Sequence, residues 1–204
     1  MTDVVLWDYP KSSASYRVRI ALGLAGVKYR VETVNLLKKD HKSPAHMERN
    51  PQGLVPVLEI DGHRLTQSLA IIEYLDATRS LGLLPDEPLQ RAKVRALAYG
   101  LAVDVHPVCN LSVVQEATGG QDPARRQWMQ RFIRPGLLAF EALSKGFGQG
   151  LFCTGARPSL ADICLIPQLY NANRWGVLYD DCPRICAAER AAQRVPAFVA
   201  AHPE

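Results

Sequence analysis

The chain has 204 residues, with 24 Lys and Arg against 20 Asp and Glu for a net charge of +4. Apolar residues make up 48% and charged residues 22%, which excludes disorder as the dominant state and allows one or two domains with a sizeable core. The basic excess suits a small anionic ligand and is too weak to predict a nucleic-acid partner. In chain order, Met1-Thr2-Asp3 has no basic region ahead of an apolar stretch, so no secretory signal is predicted. Residues 4–7 are a short apolar run with β-branched members, which predicts a buried strand. A helix is expected over 15–25, with Val18, Ala21, Leu22 and Ala25 on one face and Gly26 as its stop. Residues 29–34 alternate and suit a second strand, and the polar stretch 41–49 reads as a loop or short helix. A third strand over 55–60 is interrupted by Pro56; Asp61-Gly62 predicts a hairpin turn and 63–66 its returning strand. Ser68 is expected to cap a helix in which Leu69, Ile72 and Leu75 recur.

The Pro-rich break Leu84-Pro85-Asp86-Glu87-Pro88 predicts a boundary between domains at 1–83 and 89–204. Beyond it every periodic segment is helical. Leu97, Leu101 and Val105 mark a helix expected to run past a kink at Pro107 to Glu116 and to end at Gly119-Gly120. Asp122-Pro123 predicts a cap followed by proline at the first helical position, ahead of Trp128, Met129, Phe132, Ile133, Leu137 and Phe140. Ser159-Leu160-Ala161-Asp162 reads as a capping box with Asp in place of Glu, and a last helix is expected over 183–193. The longest apolar runs, such as 54–58, are too short for a membrane span, so no membrane partner is predicted. Cys109, Cys153, Cys164, Cys182 and Cys186 are odd in number and form no Cys-x-x-Cys pair, so reduced cytoplasmic thiols and no metal site are expected.

Three local features carry chemistry. Ser12-Ser13-Ala14-Ser15 opens the first helix, where backbone N–H groups and the dipole favour an anion such as a thiolate or phosphate. Taken alone, serines at a helix start are mostly plain caps. Val55-Pro56 lies in a strand that can offer the backbone N–H and C=O of Val55 to an extended, peptide-like ligand, or can simply be an edge strand. Gln67-Ser68 starts a helix, where the hydroxyl, the amide and first-turn N–H groups can hold a carboxylate, or only cap the helix.

Together the three are more specific than any one. Their order and spacing resemble the thioredoxin-like domain of the glutathione transferases. The stretch Ser12-Ser13-Ala14-Ser15-Tyr16-Arg17-Val18-Arg19-Ile20-Ala21-Leu22 resembles the signature of the zeta class, which contains the maleylacetoacetate and maleylpyruvate isomerases. So do Gln67-Ser68-Leu69-Ala70-Ile71-Ile72-Glu73-Tyr74-Leu75, His106-Pro107 with Asn110-Leu111-Ser112, and Leu160-Ala161-Asp162 followed by Ile166-Pro167-Gln168. The resemblance implies an α/β domain followed by an all-α one: an N-terminal thioredoxin-like domain of order βαβαββα and a C-terminal helical bundle, the glutathione transferase fold. One departure is Ala14, where the class usually carries Cys; an enzyme-borne thiol is excluded there, and the thiol must be glutathione's own. The Gln-Pro-Asp that often follows in the class is absent at Glu204, which implies a short further tail.

The resemblance also implies site residues. Ser12, Ser13, Ala14, Ser15, Tyr16 and Arg17 would surround the glutathione sulfur, with Ser12 or Ser13 activating it. His41, Val55, Gln67 and Ser68 would hold the rest of that cofactor, and His106, Asn110, Leu111 and Ser112 would approach it from the helical domain. A substrate pocket between the domains would use Arg174 for a carboxylate, with His106 and Lys11 as further candidates. The implied activity is glutathione-dependent cis–trans isomerisation of a small acidic substrate in aromatic amino-acid catabolism, by a cytoplasmic homodimer. The alternatives are a transferase or dehalogenase acting on α-halo acids, and a non-catalytic glutathione-binding protein.

Overall fold

The computed structural model describes residues 3–203; Met1, Thr2 and Glu204, on which the reading of the chain ends rests, lie outside the described residues. The contacts form two units, one reaching to Leu81 and resumed at Pro196, the other Gly82–Val195.

The first unit contains β1 (Val5–Asp8), α1 (Ser13–Leu24), β2 (Arg30–Thr33), α2 (Pro44–Arg49), β3 (Val57–Ile60), β4 (His63–Thr66) and α3 (Ser68–Arg79). Its sheet has the order β2-β1-β3-β4. β2 runs parallel to β1, which requires the crossover that α1 supplies, while β3 and β4 pair antiparallel. Leu6, Leu58 and Ile60 of the sheet and Val18, Leu22, Ile71, Ile72 and Leu75 of the helices are buried together. The alternation seen in β2 buries no face, because it is an edge strand exposed along its whole length. At the β3–β4 hairpin both Asp61 and Gly62 have positive φ, as a two-residue turn of matching twist requires.

A buried ion pair lies inside this unit. Arg19 Nη1 donates to both carboxylate oxygens of Asp8 at 3.0 and 2.7 Å. Its Nη2 donates to the Pro10 carbonyl at 2.9 Å and its Nε to the Ala201 carbonyl at 3.0 Å. The last contact belongs to a segment that the sequence places with the helical domain. Residues 196–200 instead form a short helix of the first unit, packed on α1. A side-chain carbon on Gly23 would stand 3.0 Å from Ala197 Cβ, so the missing side chain of Gly23 lets the two backbones meet. Five residues are too few to show a helical period, which is why sequence patterning misses this helix.

The second unit holds α4 (Pro88–Tyr99), a π-helical turn (Gly100–Val105), α5 (His106–Val108), α6 (Leu111–Thr118), α7 (Ala124–Ser144), α8 (Leu160–Arg174) and α9 (Pro183–Ala192); the short helix of the first unit is α10 (Pro196–Ala200). α8 is buried along most of its length, with α4 its main neighbour. The expected continuous helix across Pro107 is broken instead. Pro107 sits in the first turn of α5, where a missing N–H is tolerated. The chain then tightens, Cys109 N–H donating to the His106 carbonyl and Asn110 N–H to that of Pro107. Asn110 is extended, and the axis bends by 46°. The π turn carries Val105 against α7 at Gly136, where a side-chain carbon would lie 2.4 Å from Val105 Cγ2. At α7 Pro123 precedes the first helical residue, Ala124, one position earlier than expected. The capping box of α8 is formed. Fully buried Asp162 accepts from Ser159 N–H and Oγ at 2.9 and 2.7 Å, and from Cys153 N–H at 2.8 Å. Among the described residues no single helix is long and apolar enough to cross a membrane.

Candidate functional site

The first unit brings together the starts of α1 and α3 and the turn before β3. Ser12 is the N-cap of α1, its Oγ accepting from Ser15 N–H at 3.3 Å. That leaves the hydroxyl proton of Ser12 free to donate. Ser13 follows in the first turn, 8% exposed, and Ala14 is partly exposed. Ser15 and Tyr16 turn into the core, the Tyr16 ring meeting His202 edge-on at 6.0 Å. Lys11 is exposed.

Arg17 is the principal departure from the implied layout. It is 3% exposed, and its Nη1 donates to Ser68 Oγ at 3.0 Å. The guanidinium therefore reaches the start of α3. Ser68 is the first residue of α3 and not its cap; the preceding position is Gln67. Because Ser68 Oγ accepts from a buried cation, its own proton is available to an incoming anion beside the helix N-terminus. Gln67 has φ +67°, rare for a non-glycine residue and a sign of a backbone held by its surroundings. Its Nε2 donates to Gln52 Oε1 at 2.8 Å.

Val55 precedes Pro56 through a cis peptide bond and lies outside both ladders of β3, which begins at Val57. Its N–H has no partner among the described residues. His41 lies in a short 3₁₀ turn before α2. Burial, and then the neighbouring Lys42 and His46, hold its imidazole below the usual histidine pKa, so at neutral pH it is an uncharged donor or acceptor.

The remaining candidates belong to the second unit. His106 opens α5 and Asn110 is the N-cap of α6, its side chain making no capping bond. Leu111 and Ser112 are exposed on α6, of which only Val114 is buried. Ser112, Val113, Glu116 and Ala117 line a shallow, open surface along this helix. Arg174 ends α8 with its guanidinium 5.8 Å from the Tyr170 ring and 5.9 Å from that of Trp175. Trp175 is itself fixed, its Nε1 donating to Asn171 Oδ1 at 3.1 Å and its carbonyl accepting from Gln130 Nε2 at 2.9 Å. Arg125 lies over the same ring at 5.1 Å. Among the described residues no carboxylate pairs with Arg174, so its fork is oriented by aromatic faces and open to an acidic ligand. The platform itself leaves one sequence signal, an aromatic residue at each of the spacings −4 and +1 from Arg174.

No side-chain thiol competes for a nucleophilic role. None of the five cysteines is in a disulfide. Burial pushes the Cys109 thiol up to about 12 and raises those of Cys153, Cys182 and Cys186 as well. Among the described residues no group of three His, Cys, Asp or Glu gathers to hold a metal.

The family description "Glutathione S-transferase, N-terminal domain" matches residues 2–77. The chain is 56% identical to the maleylacetoacetate isomerase of Rhizobium meliloti (strain 1021), over 99% of this chain and 97% of that protein. Among solved structures it is similar to a holo maleyl pyruvate isomerase, a bacterial zeta-class glutathione S-transferase. The TM-score is 0.93 at 36% identity, covering 98% of this chain and 96% of that one. It is also similar to the maleylacetoacetate isomerase of Anaeromyxobacter dehalogenans 2CP-1 with glutathione bound in the active site. There the TM-score is 0.88 at 37% identity, covering 98% and 95%.

Proposed function

This chain belongs to the zeta class of the glutathione S-transferases, the family of the maleylacetoacetate and maleylpyruvate isomerases, and from that premise we propose that it is a glutathione-dependent cis–trans isomerase of a small acidic alkene. The observation that carries the reading is the donor set of the first unit. Ser68, backed by buried Arg17, suits a carboxylate, and the open N–H of Val55 suits a peptide carbonyl. Those groups fit a γ-glutamyl peptide. Bound glutathione supplies a thiolate that adds reversibly to the conjugated alkene, making the double bond a single bond that rotates before the thiolate leaves.

The chain's own residues do the rest. Ser12 and Ser13, with the first-turn N–H groups of α1, stabilise a sulfur anion, with Ser12 the stronger candidate because its proton is free of the cap. Gln67 and Ser68 hold the γ-glutamyl end and His41 the glycyl end. Arg174 binds the substrate carboxylate, and His106 donates to the carbonyl on which charge develops. Lys11 is a further ligand-binding candidate of the first unit, and Asn110, Leu111 and Ser112 are those of the second.

Two variants separate these roles. Ser68→Ala is expected to weaken glutathione binding roughly 10- to 150-fold, the equivalent of about 1.5–3 kcal/mol for one charge-assisted hydrogen bond. Turnover at saturation should change far less, since the carboxylate lies away from the sulfur. Titration calorimetry reads the first quantity, and unchanged affinity would remove Ser68 from the site. Alanine at both Ser12 and Ser13 is expected to move the ionisation of the bound thiol to higher pH, followed by its ultraviolet absorbance. An unmoved profile would assign the effect to the helix N-terminus alone.

The activity itself is tested by following the absorbance of maleylacetoacetate and of maleylpyruvate with and without glutathione. Isomerisation leaves the glutathione concentration unchanged, whereas transfer to an α-halo acid consumes it stoichiometrically. No turnover of either kind would favour a non-catalytic binding protein. A cytoplasmic homodimer working in aromatic amino-acid catabolism completes the proposal. Light scattering at micromolar concentration should give twice the chain mass, and a monomeric mass would contradict it.

A further inference from the structure

Resting on the reading that Val55 pairs with the peptide of glutathione, we propose that His46 and Asn50 are positioning residues that aim and strengthen that clamp through the Leu54 carbonyl. His46 is 1% exposed and Asn50 is 2% exposed. His46 Nε2 lies 3.0 Å from the Leu54 carbonyl oxygen, and Asn50 Nδ2 donates to the same oxygen at 2.9 Å. A carbonyl only accepts, so Nε2 of His46 carries a proton and both contacts are donations. The Leu54–Val55 peptide is trans, since Val55-Pro56 is the one cis bond in this stretch. In a trans peptide the C=O and N–H point to opposite sides of the chain. Two buried donors that fix the carbonyl inward therefore turn the Val55 N–H outward. They also draw charge from the amide, which makes that N–H a stronger donor.

The surroundings over-determine this arrangement. Asn50 Oδ1 accepts from Gln52 N–H at 3.1 Å, closing the turn with the same side chain. Ser43 caps the helix that carries His46, its Oγ accepting from His46 N–H. Gly53 has φ +59°, and a side-chain carbon there would lie 2.8 Å from Lys42 Nζ and from Met47 Sδ. The turn also holds Gln67 through Gln52, so one device positions two of the groups assigned to glutathione.

The test compares His46→Leu with His46→Gln, whose amide can restore a donor at the Nε2 position, in ¹⁵N-labelled protein. His46→Leu is expected to raise the glutathione Kd about tenfold, the equivalent of one hydrogen bond of about 1.4 kcal/mol. The Val55 amide resonance should move upfield, and His46→Gln should return both most of the way. A merely structural role would not be rescued in this pairwise manner and would not single out that resonance. If His46→Leu does not fold, Asn50→Asp takes its place, because it keeps the acceptor for Gln52 and removes the donor to Leu54. Wild-type affinity with an unmoved Val55 resonance in the donor-less variant would overturn the positioning role alone. Failure of the unaltered protein to bind glutathione would overturn the functional reading, and this proposal with it.

Discussion

Arg19→Ala is expected to lower folding stability by about 3–5 kcal/mol, the range for removing one partner of a buried ion pair. Asp8 is 3% exposed and takes two hydrogen bonds from Arg19, so the variant leaves a buried carboxylate without its cation. The same change frees the carbonyls of Pro10 and Ala201, each of which loses a charged donor. Chemical denaturation with an unchanged slope would read the loss directly. The double variant Asp8→Leu/Arg19→Met should lose much less, because it removes the charge and its partner together. A loss below about 1 kcal/mol in Arg19→Ala would show that water reaches Asp8, against its burial. Because the Pro10 carbonyl lies two residues before Ser12, loss of the ordered loop should also loosen the cap of α1.

For Arg174→Ala the expected loss is in kcat/KM for a diacid, roughly 10- to 150-fold, from about 1.5–3 kcal/mol for a charged hydrogen-bonding partner. The loss should fall on KM, with glutathione affinity nearly unchanged. Arg174→Lys should rescue only part, for two reasons. An ammonium cannot reproduce the bidentate fork, and it would stack poorly on the Tyr170 and Trp175 faces that orient the guanidinium. A neutral acceptor without the carboxylate should show a much smaller effect. Equal losses for charged and neutral substrates would make Arg174 a support of the fold instead. Trp175→Leu then serves as a control: it should weaken diacid binding only modestly, by letting the guanidinium wander.

Much of this was legible in the sequence, and the reasons differ from element to element. The strands and long helices carry a period of two or of 3.6 against a buried face, so β1, α3, α7 and α8 stand close to where patterning puts them. The capping box of α8 was readable because Ser159 and Asp162 act within one turn. Where the outcome depended on partners distant in sequence, patterning had no access. Arg17 reaches Ser68 across 51 residues and Arg19 reaches Ala201 across 182, and neither contact leaves a local trace. The break at Asn110 is hidden for a different reason: a proline inside a periodic segment reads as a kink, whereas the chain here stops after Val108 and starts a new helix at Leu111. His46 lies in the polar stretch 41–49 and Asn50 just beyond it; neither stands out by pattern, because their shared target is a backbone carbonyl, which no side-chain motif records.

The return of residues 196–203 to the first unit bears on how the protein is made. Synthesis runs from the N-terminus, so the sheet, α1 and α3 leave the ribosome first, followed by the helices of the second unit. The segment that seats Ala197 at Gly23 and offers the Ala201 carbonyl to Arg19 is made only after them. Until it emerges, the Arg19 Nε that meets Ala201 has to be satisfied by water, and α1 keeps an uncovered side. The nascent first unit therefore waits, incomplete, through the making of more than a hundred residues between Leu81 and Pro196. Its closure waits on a segment made after the second unit, so the order of synthesis and the order of completion differ.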